Sequence, residues 1–130
     1  MVQPAARVLV VDDDEGVRRF AARALGGGGY VVVTACSGPD AIRLVEAQPR
    51  FDLFVIDVMM PGMRGEELAR RLHDRDPETK VLYFTGYADQ FFAGRPKLRE
   101  NEAVLVKPVT VSAFLEAVSH RLQRRESPKL

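Results

Sequence analysis

The chain has 130 residues, 46% of them apolar and 28% charged, enough for one domain with one respectable core. With 19 basic side chains against 18 acidic ones the formal charge is +1, so bulk electrostatics offers no attraction for nucleic acid or for an anionic membrane. Cys36 is the single cysteine, which excludes an internal disulfide; no apolar run is long enough to span a bilayer, "MVQPAAR" lacks the marks of a secretory signal, and a cytoplasmic protein is expected.

The first element is "RVLVV" (7–11), a β-rich run that passes directly into Asp12, Asp13 and Asp14. Val17, Phe20, Ala21, Ala24 and Leu25 then recur at helical spacing. Asp14 is the natural N-cap of that helix, with Glu15 in its first turn. "GGGG" (26–29) follows the helix rather than the strand and lacks a phosphate-cradling spacing, so it reads as a helix C-cap and a loose turn. A second strand, "YVVVTA" (30–35), leads to Cys36, a small loop or buried residue, and then to a helix marked by Ala41, Leu44 and Val45.

The third strand, "DLFVI" (52–56), ends in Asp57 and "VMMPGMRG", before a helix marked by Leu68 and Leu72. His73 and Asp74 on that helix are read as a solvated face rather than as a phosphotransfer site. "KVLYFT" (80–85) is the fourth strand and ends in Thr85 and Gly86. Gly94 and Pro96 confine the next helix to a short one near 88–93. Phe91 and Phe92 within it cannot both face one core; the second is expected to tuck under the following loop, the alternative being an exposed docking residue. "AVLV" (103–106) ends in Lys107 and Pro108, and Val111, Phe114, Leu115, Val118 and Leu122 mark a strongly amphipathic last helix. Its polar side carries His120, Arg121, Arg124 and Arg125, too small a basic tail to argue for nucleic acid.

None of the five apolar runs alternates with polar residues, so each is expected to be a strand covered on both faces. Strand–helix alternation repeated five times predicts a doubly wound α/β domain with right-handed crossovers. The pattern places one domain over 1–130, with a core at about 7–123 and a flexible tail at 124–130.

In open parallel sheets ligands bind beyond the carboxyl ends of the strands. There this chain collects Asp12, Asp13, Asp57, Thr85 and Lys107. Carboxylates a few ångströms apart repel by about 4 kcal/mol per pair at an effective dielectric of about 20. A hard divalent cation removes that cost, and an oxygen-only set without histidine or cysteine favours Mg²⁺ or Mn²⁺ over zinc. Thr85 and Lys107 are the right types to meet phosphoryl oxygens, and a carboxylate can itself be the nucleophile. The residues therefore point to metal-assisted phosphoryl transfer to an aspartate, without saying which.

"VLVVDDDE", "DLFVIDVMMPGMRGEEL", "VLYFTGYAD" and "VLVKPV", in that order and each at a strand end, resemble the receiver domain of two-component response regulators. The resemblance runs from residue 7 to about 123. It implies a flavodoxin-like five-stranded parallel sheet in the order 2-1-3-4-5. It also implies that Asp57 is the phosphoacceptor for a phosphohistidine of a sensor histidine kinase or histidine phosphotransfer protein. By the same resemblance Asp13, Asp57 and the Met59 carbonyl coordinate Mg²⁺, for which Mn²⁺ is expected to substitute, and Asp12 acts on it through water. Thr85 and Lys107 meet the phosphoryl group, and the Lys107–Pro108 bond is cis. The surface formed by the fourth helix, fifth strand and fifth helix then switches for partner binding or phosphorelay.

Such a protein is a phosphorylated switch and not an enzyme, apart from its own phosphorylation and slow autodephosphorylation. A monomer or weak dimer is expected, binding neither nucleic acid nor membrane. It is read as stand-alone, since the chain ends shortly after the fifth helix; a receiver excised from a hybrid histidine kinase is the alternative within the family, and the short fourth segment has that flavour. A Mg²⁺-dependent aspartyl-phosphate hydrolase is the alternative from another class. Such hydrolases typically carry a D-x-D on the first strand and a cap insertion over the site; this reading is disfavoured because no insertion is present and the crossovers are short, so no substrate pocket is apparent.

Two departures stand out. Three residues before the lysine, where receivers usually carry Tyr or Phe, this chain has Val104, and Tyr87 is the candidate to replace the missing aromatic. Met59 and Tyr87, two past Asp57 and two past Thr85, are large and largely apolar, from which slow hydrolysis of the aspartyl phosphate is expected.

Overall fold

A computed structural model describes residues 5–48, 50–93 and 98–123. The tail 124–130 and the helix breakers Gly94 and Pro96 lie outside the described residues. Five strands alternate with five helices: β1 (Arg7–Val11), α1 (Glu15–Gly27), β2 (Val31–Ala35), α2 (Gly38–Ala47), β3 (Leu53–Ile56), α3 (Gly65–Arg75), β4 (Val81–Thr85), α4 (Ala88–Ala93), β5 (Glu102–Val106) and α5 (Val111–Gln123). All neighbouring strands are parallel, in the order β2-β1-β3-β4-β5. The expected doubly wound, flavodoxin-like architecture is the one found.

Because side chains alternate along a strand, the sheet separates two cores. Leu9, Val11, Ile56, Val81 and Tyr83 face one side, against Leu68 and Leu72 of α3 and Phe91 of α4. Val8, Val10, Val55, Leu82 and Phe84 face the other, against Leu25 of α1 and Phe114 and Val118 of α5. This is why "VLVV" shows no alternation: both of its faces are interior, at 0–1% exposure. The two edge strands differ from that expectation. Val31 of β2 is 41% exposed and Val106 of β5 49%, because an edge strand has a neighbour on one side only.

The helix ends follow local chemistry. Asp14 caps α1, its side chain accepting from the Val17 amide at 3.1 Å, and Ser37 caps α2 in the same way through the Asp40 amide at 3.2 Å. The glycine run ends α1 as expected, with Gly28 at the C-cap and Gly29 at φ +93°. Cys36 is an exposed loop residue whose amide donates to the Asp40 carboxylate.

Two expectations are corrected. His73 does not lie on a solvated face: it is 5% exposed, with Nε2 3.0 Å from the Thr79 carbonyl and Nδ1 3.8 Å from a Glu102 carboxylate oxygen. The α3 face that carries Leu72 turns inward far enough to take the next residue with it. Phe92 is not tucked away; it is 42% exposed, while Phe91 takes the core position at 1%. In so short a helix one apolar direction faces the sheet, and Phe91 occupies it.

Candidate functional site

Three main-chain hydrogen bonds carry the sheet one step past its strands. Asp12 N–H donates to Ala35 O at 3.1 Å, Asp57 N–H to Val11 O at 2.9 Å and Lys107 N–H to Thr85 O at 2.8 Å. Each chemical group is thus held by the ladder itself, at the carboxyl rim where the apolar run stops. Thr85 closes β4 and is register-paired with Val106, the residue before Lys107.

Asp12, Asp13 and Asp57 each offer a carboxylate oxygen, and these lie within 4.8 Å of one another. Asp12 and Asp57 are buried, whereas Asp13 is exposed. Asp12 uses both oxygens: Oδ1 accepts from the Asp14 amide at 2.9 Å and Oδ2 from Lys107 Nζ at 3.0 Å. The same ammonium stands 3.6 Å from Asp57 Oδ1 and 5.3 Å from the centroid of the Phe84 ring. The Lys107–Pro108 bond is cis, as expected.

Burial and crowding set the charge state. Asp57 is pushed up to about 6, first by burial and then by the neighbouring Asp12, while Lys107 and the Met59 amide pull the other way. Asp12 is also raised, chiefly by burial, against the Asp14 amide and Lys107, which favour its ionised form. Three converging carboxylates, two of them buried and raised, with oxygen donors only, fit a hard divalent cation.

Thr85 is fully buried, and its hydroxyl accepts from the Tyr87 amide at 2.9 Å. Tyr87 itself is 52% exposed, and Met59 37%, its sulfur 3.3 Å from Arg64 Nη1. Val104 packs against the α3-side core beside its register partner Tyr83. The aromatic beside Val104 is therefore Tyr83 on the neighbouring strand, and not Tyr87.

Two residues escaped the sequence reading. Arg18 Nη1 donates to the Asp12 carbonyl at 2.8 Å, tying the acidic loop to α1. Its only signal was its place one turn into the helix that follows the acids. Gly65 was legible as the last letter of a motif but not as a contact. A Cβ there would stand 2.3 Å from the Asp57 carbonyl oxygen, so only glycine lets α3 start against the Asp57 backbone.

Comparison with known proteins agrees with this geometry. A family model described as "Response regulator receiver domain" matches residues 8–119. The receiver protein CpdR of Brucella abortus is 40% identical over 116 residues, 89% of this chain and 96% of CpdR. The sensor kinase CckA of the same organism is 33% identical over 123 residues, but this chain spans only 13% of that kinase's length. Among solved structures, the response regulator TrrA of Thermotoga maritima in complex with Mg²⁺-BeF aligns with a TM-score of 0.79 at 28% identity, covering 90% of this chain and 99% of that one. With its motifs at four of the five strand ends and a family match over most of its length, the chain belongs to the response regulator receiver domain family.

Proposed function

We propose that this receiver accepts a phosphoryl group on Asp57 from a phosphohistidine of a sensor histidine kinase or histidine phosphotransfer protein. The carrying observation is the convergence of three carboxylates and one ammonium on a single rim, with Asp57 just past the end of the central strand β3. A carboxylate oxygen of Asp57 forms the new O–P bond. The P–N bond to the donor histidine breaks, and its electron pair stays on the imidazole nitrogen, which takes up a proton.

Asp13, Asp57 and the Met59 carbonyl would hold Mg²⁺, with Asp12 acting through water. When bound, Mg²⁺ neutralises the crowded acids and the phosphoryl oxygens. Lys107, released from its carboxylates, pairs with the new dianion, and the Thr85 hydroxyl donates to it. The product adds about −1.5 to −2 charges and three acceptor oxygens, enough to bias α4, β5 and α5 between two arrangements. The protein serves as a cytoplasmic phosphoacceptor switch and not as a phosphoester hydrolase; it binds a downstream protein as a monomer or weak dimer, without nucleic acid.

A receiver of the CpdR kind is supported by the match to nearly all of CpdR. A receiver module of a hybrid kinase is the second reading, supported by the match to a short portion of CckA. The test is incubation with a small phosphodonor and Mg²⁺, followed by mass spectrometry. A single mass gain on Asp57 that Asp57→Asn lacks supports the switch. Sustained turnover of added phosphoesters would replace it with the hydrolase.

A further inference from the structure

α4 has six residues, and its buried residue is Phe91. That ring lies on Tyr83, centroids 4.9 Å apart and planes tilted by 49°. What fixes Tyr83 therefore fixes α4. Tyr83 is itself fully buried, on the same face of β4 as Thr85, and its hydroxyl donates to Glu102 Oε2 at 3.0 Å.

Glu102 opens β5 with a side chain only 1% exposed, a costly place for a carboxylate unless it is well partnered. Its partners come from several directions. Oε1 accepts from the Arg99 amide at 3.1 Å and Oε2 lies 4.0 Å from Arg99 Nε, while His73 Nδ1 on α3 stands 3.8 Å off, beyond hydrogen-bond reach. His73 is oriented by Thr79: a backbone carbonyl can only accept, so Nε2 carries the hydrogen. A polar cluster of this kind fixes the position of Tyr83 more narrowly than apolar packing does.

From Thr85 a second path leads to the same ring. The Thr85 hydroxyl accepts the Tyr87 amide at 2.9 Å, and the Tyr87 carbonyl accepts the Phe91 amide at 3.0 Å. Phe91 then closes the circuit on Tyr83, two residues before Thr85. Any group that draws the Thr85 hydroxyl toward Asp57 pulls on the head of α4, while Tyr83 holds the one ring about which α4 can turn.

We propose that Tyr83 and Glu102 are positioning residues for α4: their buried hydrogen bond seats Tyr83 under Phe91, so that a change at Thr85 reaches α4 as movement instead of being absorbed in the core. This rests on the switch reading above and names how its output is transmitted. It assigns to β4 and Glu102 the part for which the sequence offered Tyr87.

The test loads the full chain with a small phosphodonor and Mg²⁺, and reads two quantities separately. Mass gain on Asp57 measures loading; amide hydrogen exchange over residues 88–93, loaded against unloaded, measures transmission. Tyr83→Phe and Glu102→Leu should load Asp57 as the wild type does, yet show an α4 response about fivefold to tenfold smaller, the ratio that one ordinary hydrogen bond sustains. Glu102→Gln, whose carbonyl can accept from the Arg99 amide while its NH2 donates to the Tyr83 hydroxyl oxygen, should restore most of the response, and it decides the matter with Glu102→Leu if Tyr83→Phe does not fold. Full loading with an undiminished α4 response in Tyr83→Phe and Glu102→Leu overturns the proposal. If wild-type Asp57 takes no group at all, the switch reading fails first and the coupling falls with it.

Discussion

Lys107 Nζ lies 3.0 Å from Asp12 Oδ2, across 95 residues of sequence, and joins the last strand of the sheet to the first. The ammonium is the one cation placed against both buried acids among the described residues, so its removal leaves them mutually repelling. Lys107→Ala should cost the metal-free protein about 1–3 kcal/mol at pH 7, less than a fully buried pair because the lysine is partly exposed. Much of that loss should return at pH 5, where Asp57 takes up its proton. Urea unfolding in EDTA at the two pH values checks both statements.

The raised Asp57 carboxyl has a definite sign. Its proton is held up to about pH 6 in the folded chain but only to its ordinary value of 3.8 when unfolded. The contribution of this group to stability is therefore full below about pH 4 and is lost as pH rises through about 6, by about 2–3 kcal/mol in all. Metal-free protein should show a falling urea midpoint across that window, and Asp57→Asn should flatten it. An unchanged slope in Asp57→Asn would assign the dependence to another group.

Asp13 is exposed but adds to the field on Asp57. Asp13→Asn should raise the melting temperature in EDTA and weaken Mg²⁺ binding at the same time. Calorimetry with and without the metal separates the two effects; an equal or lower melting temperature without metal contradicts charge crowding as the cause.

Gly65→Ala places a methyl group 2.3 Å from a backbone oxygen that the sheet holds in position. A destabilisation of about 2–4 kcal/mol is expected, in the range of overpacked core sites. Loading of Asp57 should fall in the protein that remains folded, because α3 or the acceptor strand must shift. Chemical denaturation and phosphodonor mass gain measure the two.

Met59 and Tyr87 offer large, partly exposed side chains on the loops after Asp57 and Thr85. If they shield the phosphoryl group from water, Met59→Asn and Tyr87→Ala should each shorten its lifetime. Decay of the loaded mass after removal of the donor is the measurement, and an unchanged rate would mean that the two side chains pack locally without shielding.

The rim was legible because each strand stops at a change of chemistry: valine to Asp12, isoleucine to Asp57, phenylalanine to Thr85, valine to Lys107. Four such boundaries in one chain outweigh the ambiguity of any one. The interior cluster was not legible, because nothing local distinguishes His73 on a charged helix from a solvated histidine. Only the fold brings Glu102 to it, and a glutamate at the start of a strand is ordinary in sequence. Phe91 and Phe92 show the same limit. Their incompatibility could be read from adjacency, but which one faces the sheet depends on how α4 leaves Thr85. The exposed edges of β2 and β5 follow from strand order, which the apolar runs alone do not encode.

Gly65 also bears on the mechanics of the domain. Its amide donates to the Val58 carbonyl at 3.0 Å while its α-carbon leaves no clearance beside the Asp57 carbonyl. The loop from Asp57 to Gly65 is thereby drawn shut at its neck, with the start of α3 against the Asp57 backbone. On the other side of the acids, β4 passes to a six-residue helix seated on a single buried ring. The two walls of the site thus differ in packing: a contact with no room for a methyl group on the α3 side, and a short helix with one buried ring on the α4 side. A group added at Asp57 is expected to disturb the α4 side first, and amide exchange over 88–93 against 65–75 measures the difference.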